Sequence, residues 1–281
     1  MEYRTLNNGV KIPLVGYGTY QVTDLAECEK CVLDALSVGY RLIDTAQQYK
    51  NEEAVGSAIK KSGIPREEIF ITTKINFKNY ETEKCESSIE ESLRKLQVDY
   101  IDLVLLHWPF NNVYAAYRVL EKYYEMGKIR AIGISNFNPD RMVDLILYNK
   151  IKPQVNQIET HLYCQRKEHA EWMKKYDVFH QAYSPLGQQR IKEMFSNEIV
   201  SNIAIKYNKT PAQIALKFLV SKGICIIPKT THIERMKENI DLFDFELTEE
   251  EISLLETLDT GVALIGYPEN PIRVESAINW K

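Results

Sequence analysis

The sequence predicts a closed (β/α)8 barrel, the TIM-barrel class of α/β protein, and three observations carry that prediction. Short apolar runs alternate with amphipathic helical patterns from residue 15 to residue 240. The alternation repeats eight times, the number that closes a parallel sheet into a barrel. No linker or composition shift divides the 281 residues, so 1–281 reads as one domain. A doubly wound open sheet is the alternative, and it would show its repeat in fewer units.

The predicted strands fall near Val15–Gly18, Arg41–Asp44, Phe70–Lys74, Leu103–His107, Ala131–Ser135, Val155–Glu159, Val178–Ser184 and Cys225–Pro228. Amphipathic segments separate them near 24–37, 51–61, 82–96, 113–125, 138–149, 165–176 and 211–221, with a last one near 233–240. Gly39, Gly63, Gly127 and Gly223 stand where helices should stop. Two elements lie outside the repeat. Residues 3–14 read as an N-terminal β-hairpin turning at Asn7-Asn8-Gly9 and capping one end of the barrel. Thr248 to Leu258 reads as an extra C-terminal helix, with Thr248 and Glu251 spaced as a capping box. The tail after it, GVALIGYPENPIRVESAINWK, has no clear period.

The formal net charge of −4 gives no reason to expect nucleic acid or an anionic membrane as partner. The N-terminal residues have no apolar signal core and no run is long enough to span a bilayer, so a cytoplasmic protein is expected; a monomer is expected as well. Five cysteines at irregular spacing argue against a disulfide framework. Cys28-x-x-Cys31 has the spacing of a redox pair or half a zinc site. It also shares a helix face with Leu25, Val32, Ala35 and Leu36, and no second pair completes a metal site. Buried helix-face thiols and no metal are the expectation.

The chemistry is expected at the C-terminal strand ends, where barrels of this class carry their sites. Asp44 ends RLID, Lys74 ends IFITTK and His107 ends LVLLH, each after a run that should be buried. Singly they could be an N-cap, a snorkelling lysine and a satisfied core histidine. Together, at the same end of neighbouring strands, they are hard to assign to packing, and Asp44 and Lys74 would compensate each other's charge. Tyr49 lies in the loop after Asp44. It could be a packing aromatic, or its phenol could reach Lys74, whose charge would lower its pKa and make it a useful acid. Gly16-x-Gly18 lacks the third glycine of a Rossmann fingerprint. Lys229, Thr230 and Thr231, ahead of a helix containing Arg235, read either as an anion site or as a solvated loop.

These segments resemble the aldo-keto reductases. YRLIDTAQQYKNE (40–52), between Gly39 and Gly56, is similar to the family's first signature. ITTK (71–74) and LLHWP (105–109) resemble its lysine and histidine segments. ISNF (134–137), NQIETH (156–161), AYSPLG (182–187) and IPKTTHIERMKEN (227–239) resemble its cofactor segments in order. The resemblance runs from about residue 4 to residue 258, and within the family it is to bacterial short-loop members such as diketogulonate and glyoxal reductases. It implies an NADPH-dependent enzyme that reduces an aldehyde or ketone to an alcohol by hydride transfer. Tyr49 would be the general acid, Lys74 and Asp44 would tune it, and His107 would orient a small carbonyl substrate. Ser135, Asn136 and Gln157 would hold the nicotinamide carboxamide, and Tyr183 would stack on its ring. Ser184 and Leu186 would line the pyrophosphate side, and Asp44 would also border the cofactor. Lys229, Thr230 and Arg235 would bind the 2′-phosphate beside Pro228, with Glu238 and Asn239 at the adenine. Gly18, Thr19 and Tyr20 would border the nicotinamide pocket.

Departures from the family pattern cluster at the substrate side. Tyr20 stands where many members have Trp, Leu162 where Pro is common, and Phe110–Asn112 is a very short segment. That segment should leave the mouth open, faced by Tyr20, Trp108, Tyr267 and Trp280, with broad activity on small activated carbonyls. Two other readings stand beside the reductase: a Schiff-base lyase using Lys74, which Asp44 opposes by keeping the lysine protonated, and a non-catalytic NADPH-binding barrel.

Overall fold

The computed structural model describes residues 2–280. β1 (Tyr3–Thr5) and β2 (Lys11–Pro13) form the antiparallel hairpin, with Thr5 opposite Lys11. Gly9 takes φ +85° in its turn, a backbone that favours glycine. The side chain of Asn7 donates to the carbonyls of Pro153 and Asp177, and that of Asn8 to Arg130. All three acceptors precede or begin barrel strands, so the hairpin caps the N-terminal end of the barrel.

Eight parallel strands follow: β3 (Tyr17–Gly18), β4 (Leu42–Asp44), β5 (Phe70–Ile75), β6 (Ile101–Leu106), β7 (Ile129–Ser135), β8 (Val155–Glu159), β9 (Phe179–Tyr183) and β10 (Cys225–Ile226). They pair in chain order, and a parallel bridge between Val15 and Ile226 joins the last strand to the first. Most of their side chains are buried on both faces, as in β5 and β6, because the barrel interior and the helical ring both exclude water. That explains why the sequence shows continuous apolar runs rather than alternation.

The outer ring holds α1 (Leu25–Ser37), α2 (Glu52–Ser62), α3 (Thr82–Leu96), α4 (Val113–Glu125), α5 (Pro139–Leu147) and α6 (Lys167–Tyr176). After β9 come α7 (Ile191–Ser196), α8 (Glu198–Tyr207) and α9 (Pro211–Ser221). α10 (Ile233–Ile240), α11 (Glu249–Glu256) and α12 (Pro271–Ala277) complete the described chain. α11 carries the expected capping box between Thr248 and Glu251. α7, α8 and α12 were not anticipated. Cys28 and Cys31 lie with Val32, Ala35 and Leu36 on the buried face of α1, and all five cysteines are free. Among the described residues, no helix is long and apolar enough to cross a membrane, and no group of three or more Cys, His, Asp or Glu side chains is placed to hold a metal.

Candidate active site

Parallel pairing brings the strand ends to one face of the barrel. Asp44 closes β4, Lys74 lies one residue before the end of β5, and His107 follows β6. In register, Asp44 sits beside Thr72 and Lys74 beside Leu105, so the three ionisable groups occupy neighbouring positions on the rim. A single helical turn, Gln47–Tyr49, ends with Lys50 in the left-handed conformation and places Tyr49 over that rim.

The side chains converge on Lys74. Its Nζ donates to Asp44 Oδ1 at 2.5 Å, to the Thr45 carbonyl at 2.9 Å and to the Tyr49 hydroxyl at 3.4 Å. An ammonium has three hydrogens, and here each has an acceptor. The second Asp44 oxygen accepts from Gln157 Nε2 at 2.7 Å. Both members of the pair are buried. Burial pushes the Asp44 carboxyl up and the Lys74 amine down, while the attraction between them opposes both shifts. The filled set of donors and acceptors is that of an ion pair.

Tyr49 differs from the sequence expectation. Its phenol is held well above the ordinary range, first by burial and then by the negative charge of Asp44. Asp44 cancels much of the field that Lys74 would otherwise exert. The phenol therefore carries its proton at neutral pH, the form a proton donor needs. His107 is pushed well below its usual range, by burial first and by the Lys74 charge second, so its ring is neutral. That ring meets the Tyr49 ring edge-on at 5.8 Å, and its Nδ1 is buried without a partner. Tyr80, which the sequence did not single out, donates to the Trp108 carbonyl and accepts from its N–H, fixing the turn that presents His107.

A cavity of about 990 Å³ opens over these groups. Its wall contains Tyr20, Tyr49, His107 and Trp108, then Ser135, Asn136, Gln157 and Tyr183, then Ser184, Leu186, Pro228 and Lys229, with Gly18 and Asp44. A smaller cavity of about 500 Å³ between α2 and α3 holds none of the sequence-selected residues. The remaining candidates lie off the main wall. Lys74 sits behind Tyr49 and Asp44. The Thr19 hydroxyl is buried and turned to the Asp44 carbonyl. Thr230 is buried, its carbonyl accepting from Tyr17. Arg235, on α10, is exposed, Asn239 is buried, and Glu238 accepts from the Thr210 hydroxyl.

The wall has the groups that a nicotinamide nucleotide requires: an aromatic ring, amides and a cation. The Tyr183 hydroxyl donates to Asn136 Oδ1 at 2.7 Å, and Asn136 Nδ2 donates to the His107 carbonyl at 3.0 Å. This network holds Asn136 at φ +63°, a left-handed conformation that needs such support, and Ser184, next along the chain from Tyr183, is also left-handed at φ +50°. A Cβ on Gly18 would lie 3.1 Å from the Ile227 carbonyl, so glycine allows the close approach beside the Pro228–Lys229 segment. Lys229 is exposed, free to meet an anion.

The tail completes the site. Glu159, at the end of β8, accepts hydrogen bonds at 2.7 Å from the backbone N–H groups of Leu264, Ile265 and Gly266, and from His161. A Cβ on Gly266 would lie 2.9 Å from the Tyr183 hydroxyl, so the tail backbone packs against that side chain. Ile265, Arg273 and Trp280 join the cavity wall. Trp280 meets Phe77, Trp108 and Phe110. The expected open mouth beside Phe110–Asn112 is therefore filled by the tail. Of the two tail aromatics singled out from the sequence, Trp280 lines the cavity and Tyr267 does not.

Fold and site together define a (β/α)8 barrel with an ionisable cluster on the wall of a large cleft at its C-terminal rim, and similarity to known proteins gives the family. The aldo/keto reductase family model matches residues 14–260. The chain is 42% identical to glyoxal reductase of Bacillus subtilis over 90% of its length and 91% of the relative's. It superposes with a TM-score of 0.93 on MGS-M4, an aldo-keto reductase from a Medee basin deep-sea metagenome library, at 42% identity covering 95% of this chain and 98% of the other. It superposes with a TM-score of 0.89 on the Bombyx mori aldo-keto reductase in complex with NADP, at 31% identity covering 94% of each chain. The chain belongs to the aldo/keto reductase family. It is an oxidoreductase.

Proposed function

We propose that the protein reduces small aldehydes and ketones to alcohols, with Tyr49 as the general acid and NADPH as the preferred cofactor. The observation that carries the reading is the chain from the buried Asp44–Lys74 pair to Tyr49, which opens onto the cleft beside His107. When bound, NADPH supplies the hydride. Asn136, Gln157 and Tyr183 would hold its nicotinamide end and Lys229 its phosphates, with Arg235 reaching the 2′-phosphate from α10.

The rest is the work of this chain's residues. A carbonyl that gains hydride develops negative charge on oxygen, and a proton must arrive there. The protonated Tyr49 phenol faces the cleft and can deliver it. Lys74 then stabilises the phenolate left behind, and Asp44 keeps Lys74 charged and aimed. The neutral His107 ring can donate one hydrogen bond to the same oxygen, which positions the substrate without supplying net charge. Lys74 itself is buried, does not line the cleft and has every hydrogen engaged, which disfavours a covalent role for it.

Tyr49→Phe tests the assignment, because it removes the proton and keeps the ring. With glyoxal-type dicarbonyls or aromatic aldehydes, kcat should fall by about 10²–10⁴-fold, while NADPH affinity measured by fluorescence quenching stays near wild type. Wild-type kcat in the variant would remove Tyr49 from the mechanism.

A further inference from the structure

Beneath the cleft, part of the barrel interior is polar where barrels of this class are filled by branched apolar side chains. Gln157 on β8, Gln181 on β9 and Cys225 on β10 are register partners on neighbouring strands, so their side chains share one face of the sheet. All three are buried. They are joined in one string. The Cys225 thiol donates to the Pro13 carbonyl of β2 at 3.3 Å, and its sulfur accepts from Gln181 Nε2 at 3.3 Å. Gln181 Oε1 accepts from Gln157 Nε2 at 2.7 Å, and the same Nε2 donates to Asp44 Oδ2 at 2.7 Å. Asp44 then leads through Lys74 to Tyr49. The string runs from the N-terminal hairpin to the opposite rim of the barrel.

Each link has one sense. A backbone carbonyl and a carboxylate can only accept. Burial pushes the Cys225 thiol up to about 12, so the sulfur keeps the hydrogen that it gives to Pro13. Its lone pairs then face Gln181, whose amide must turn its nitrogen to the sulfur and its oxygen to Gln157. Both Gln157 amide hydrogens are thereby taken, one by Asp44 and one by Gln181. Asp44 alone would leave the amide plane free to turn about a single bond, and the second acceptor fixes the plane. What remains is Gln157 Oε1, which no donor among the described residues reaches. Gln157 lines the cleft, so the group it offers there is an acceptor.

We propose that Gln181 is a positioning residue for the cofactor: it holds the Gln157 amide with its oxygen toward the cleft, where that oxygen takes an N–H of the nicotinamide carboxamide. The inference rests on the carboxamide reading of Gln157, and a Gln157 variant separates the two.

The test is calorimetry of NADP⁺ against its 3-acetylpyridine analogue, which keeps every charge and has a methyl group in place of the carboxamide nitrogen. Wild type should bind NADP⁺ about 3–10-fold more tightly, the worth of one neutral hydrogen bond. Gln157→Met should abolish that preference. Gln181→Met keeps the chain length and loses the amide, and it should narrow the preference to within about twofold by weakening NADP⁺ alone. Cys225→Ala removes the acceptor for Gln181 Nε2 without touching Gln181. It should narrow the preference in the same direction, and it decides the matter should Gln181→Met fail to fold. Gln181→Glu is the conservative rescue near pH 6, because a carboxyl buried this close to Asp44 stays protonated and keeps a donor and an acceptor. It should retain the wild-type preference. Binding of 2′,5′-ADP, which lacks the nicotinamide, should be alike in every variant and so reports folding. A preference that survives in Gln181→Met and Cys225→Ala but is lost in Gln157→Met would overturn the role of Gln181 and keep that of Gln157. A wild type that binds NADP⁺ and the analogue alike would overturn the carboxamide reading and the proposal with it. Loss of 2′,5′-ADP binding in step with NADP⁺ in Cys225→Ala, or no recovery in Gln181→Glu, would make Gln181 a packing residue only.

Discussion

At the scale of single residues, the site depends on an ion pair that is expensive to bury. Asp44 and Lys74 are each about 1% exposed, and each loses the hydration of a full charge. Their contact at 2.5 Å and the flanking bonds to Gln157, Thr45 and Tyr49 offset that loss. Removing one member leaves the other charge stranded. Lys74→Met should therefore cost about 3–5 kcal/mol in urea unfolding as well as suppress turnover. Asp44→Asn in the Lys74→Met background should recover most of that stability, because no buried charge then remains. Activity should not return, since the phenolate has lost its counter-charge. A double variant as unstable as Lys74→Met alone would show that the loss comes from packing rather than from charge. The residue scale is also where the sequence was most informative and, at one point, misleading. Asp44, Lys74 and His107 were visible because each ionisable group terminates an apolar run. The direction of the Tyr49 shift was not, because it depends on how far water is excluded around the ring and on how much of the Lys74 field Asp44 cancels.

At the scale of elements, the eight strands were legible because burial on both faces demands unbroken apolar runs, and the ring helices because their buried faces recur with a helical period. The segment after β9 was not read. In the repeat, one helix follows each strand, and 211–221 filled that place, so α7 and α8 were passed over. Yet Asn197 caps α8 and Val200, Ile203 and Ala204 form its buried face. The tail escaped for a different reason. It is held by its backbone N–H groups on Glu159, and a contact made through the backbone leaves no mark in the side-chain pattern. Burial alone would raise the Glu159 pKa, but His161 and the three N–H groups outweigh it, and the net shift is downward. A depressed carboxylate contributes stability above its unfolded value of about 4.3 and loses it as the pH falls through the folded value. Glu159→Gln should therefore lower stability by on the order of 3 kcal/mol from pH 8 to pH 5, with the gap to wild type closing below about pH 4. Because the tail carries Ile265, Arg273 and Trp280 into the cleft, KM should rise in the variant more than kcat falls. A variant with wild-type melting temperature and KM would show that the tail seats without the carboxylate.

At the scale of the whole molecule, closing the barrel and its ring of helices excludes water from histidines as well as from aliphatic side chains. The chain has five histidines, and three of them are held neutral by their surroundings. Burial brings His169 down to about 4, with help from the Arg166 charge. Burial brings His180 down to about 3, with His169 and Arg166 adding to it, and its Nδ1 is buried without a partner. His107 shifts in the same direction. In the unfolded chain each would titrate near 6.5. Between about pH 6.5 and the folded values, the unfolded state therefore binds protons that the folded state refuses. Stability must fall as the pH falls through that window, by about 1.4 kcal/mol per pH unit for each such group. Asp44 and Glu52 shift upward and work with the opposite sign, since folding raises their proton affinity. Their influence is shared by wild type and any histidine variant, so it cancels in the difference. His180 is the best probe, because its Nε2 meets only the Thr160 hydroxyl, at 2.8 Å, and it lies outside the cleft wall. Urea midpoints of wild type should drop steadily from pH 6.5 to pH 4.5. His180→Gln removes one linked proton whatever its effect on absolute stability, so its slope over that range should be shallower by about 1.4 kcal/mol per pH unit. Parallel slopes for the two proteins would mean that His180 takes up its proton in the folded state, and that the barrel wall there admits water.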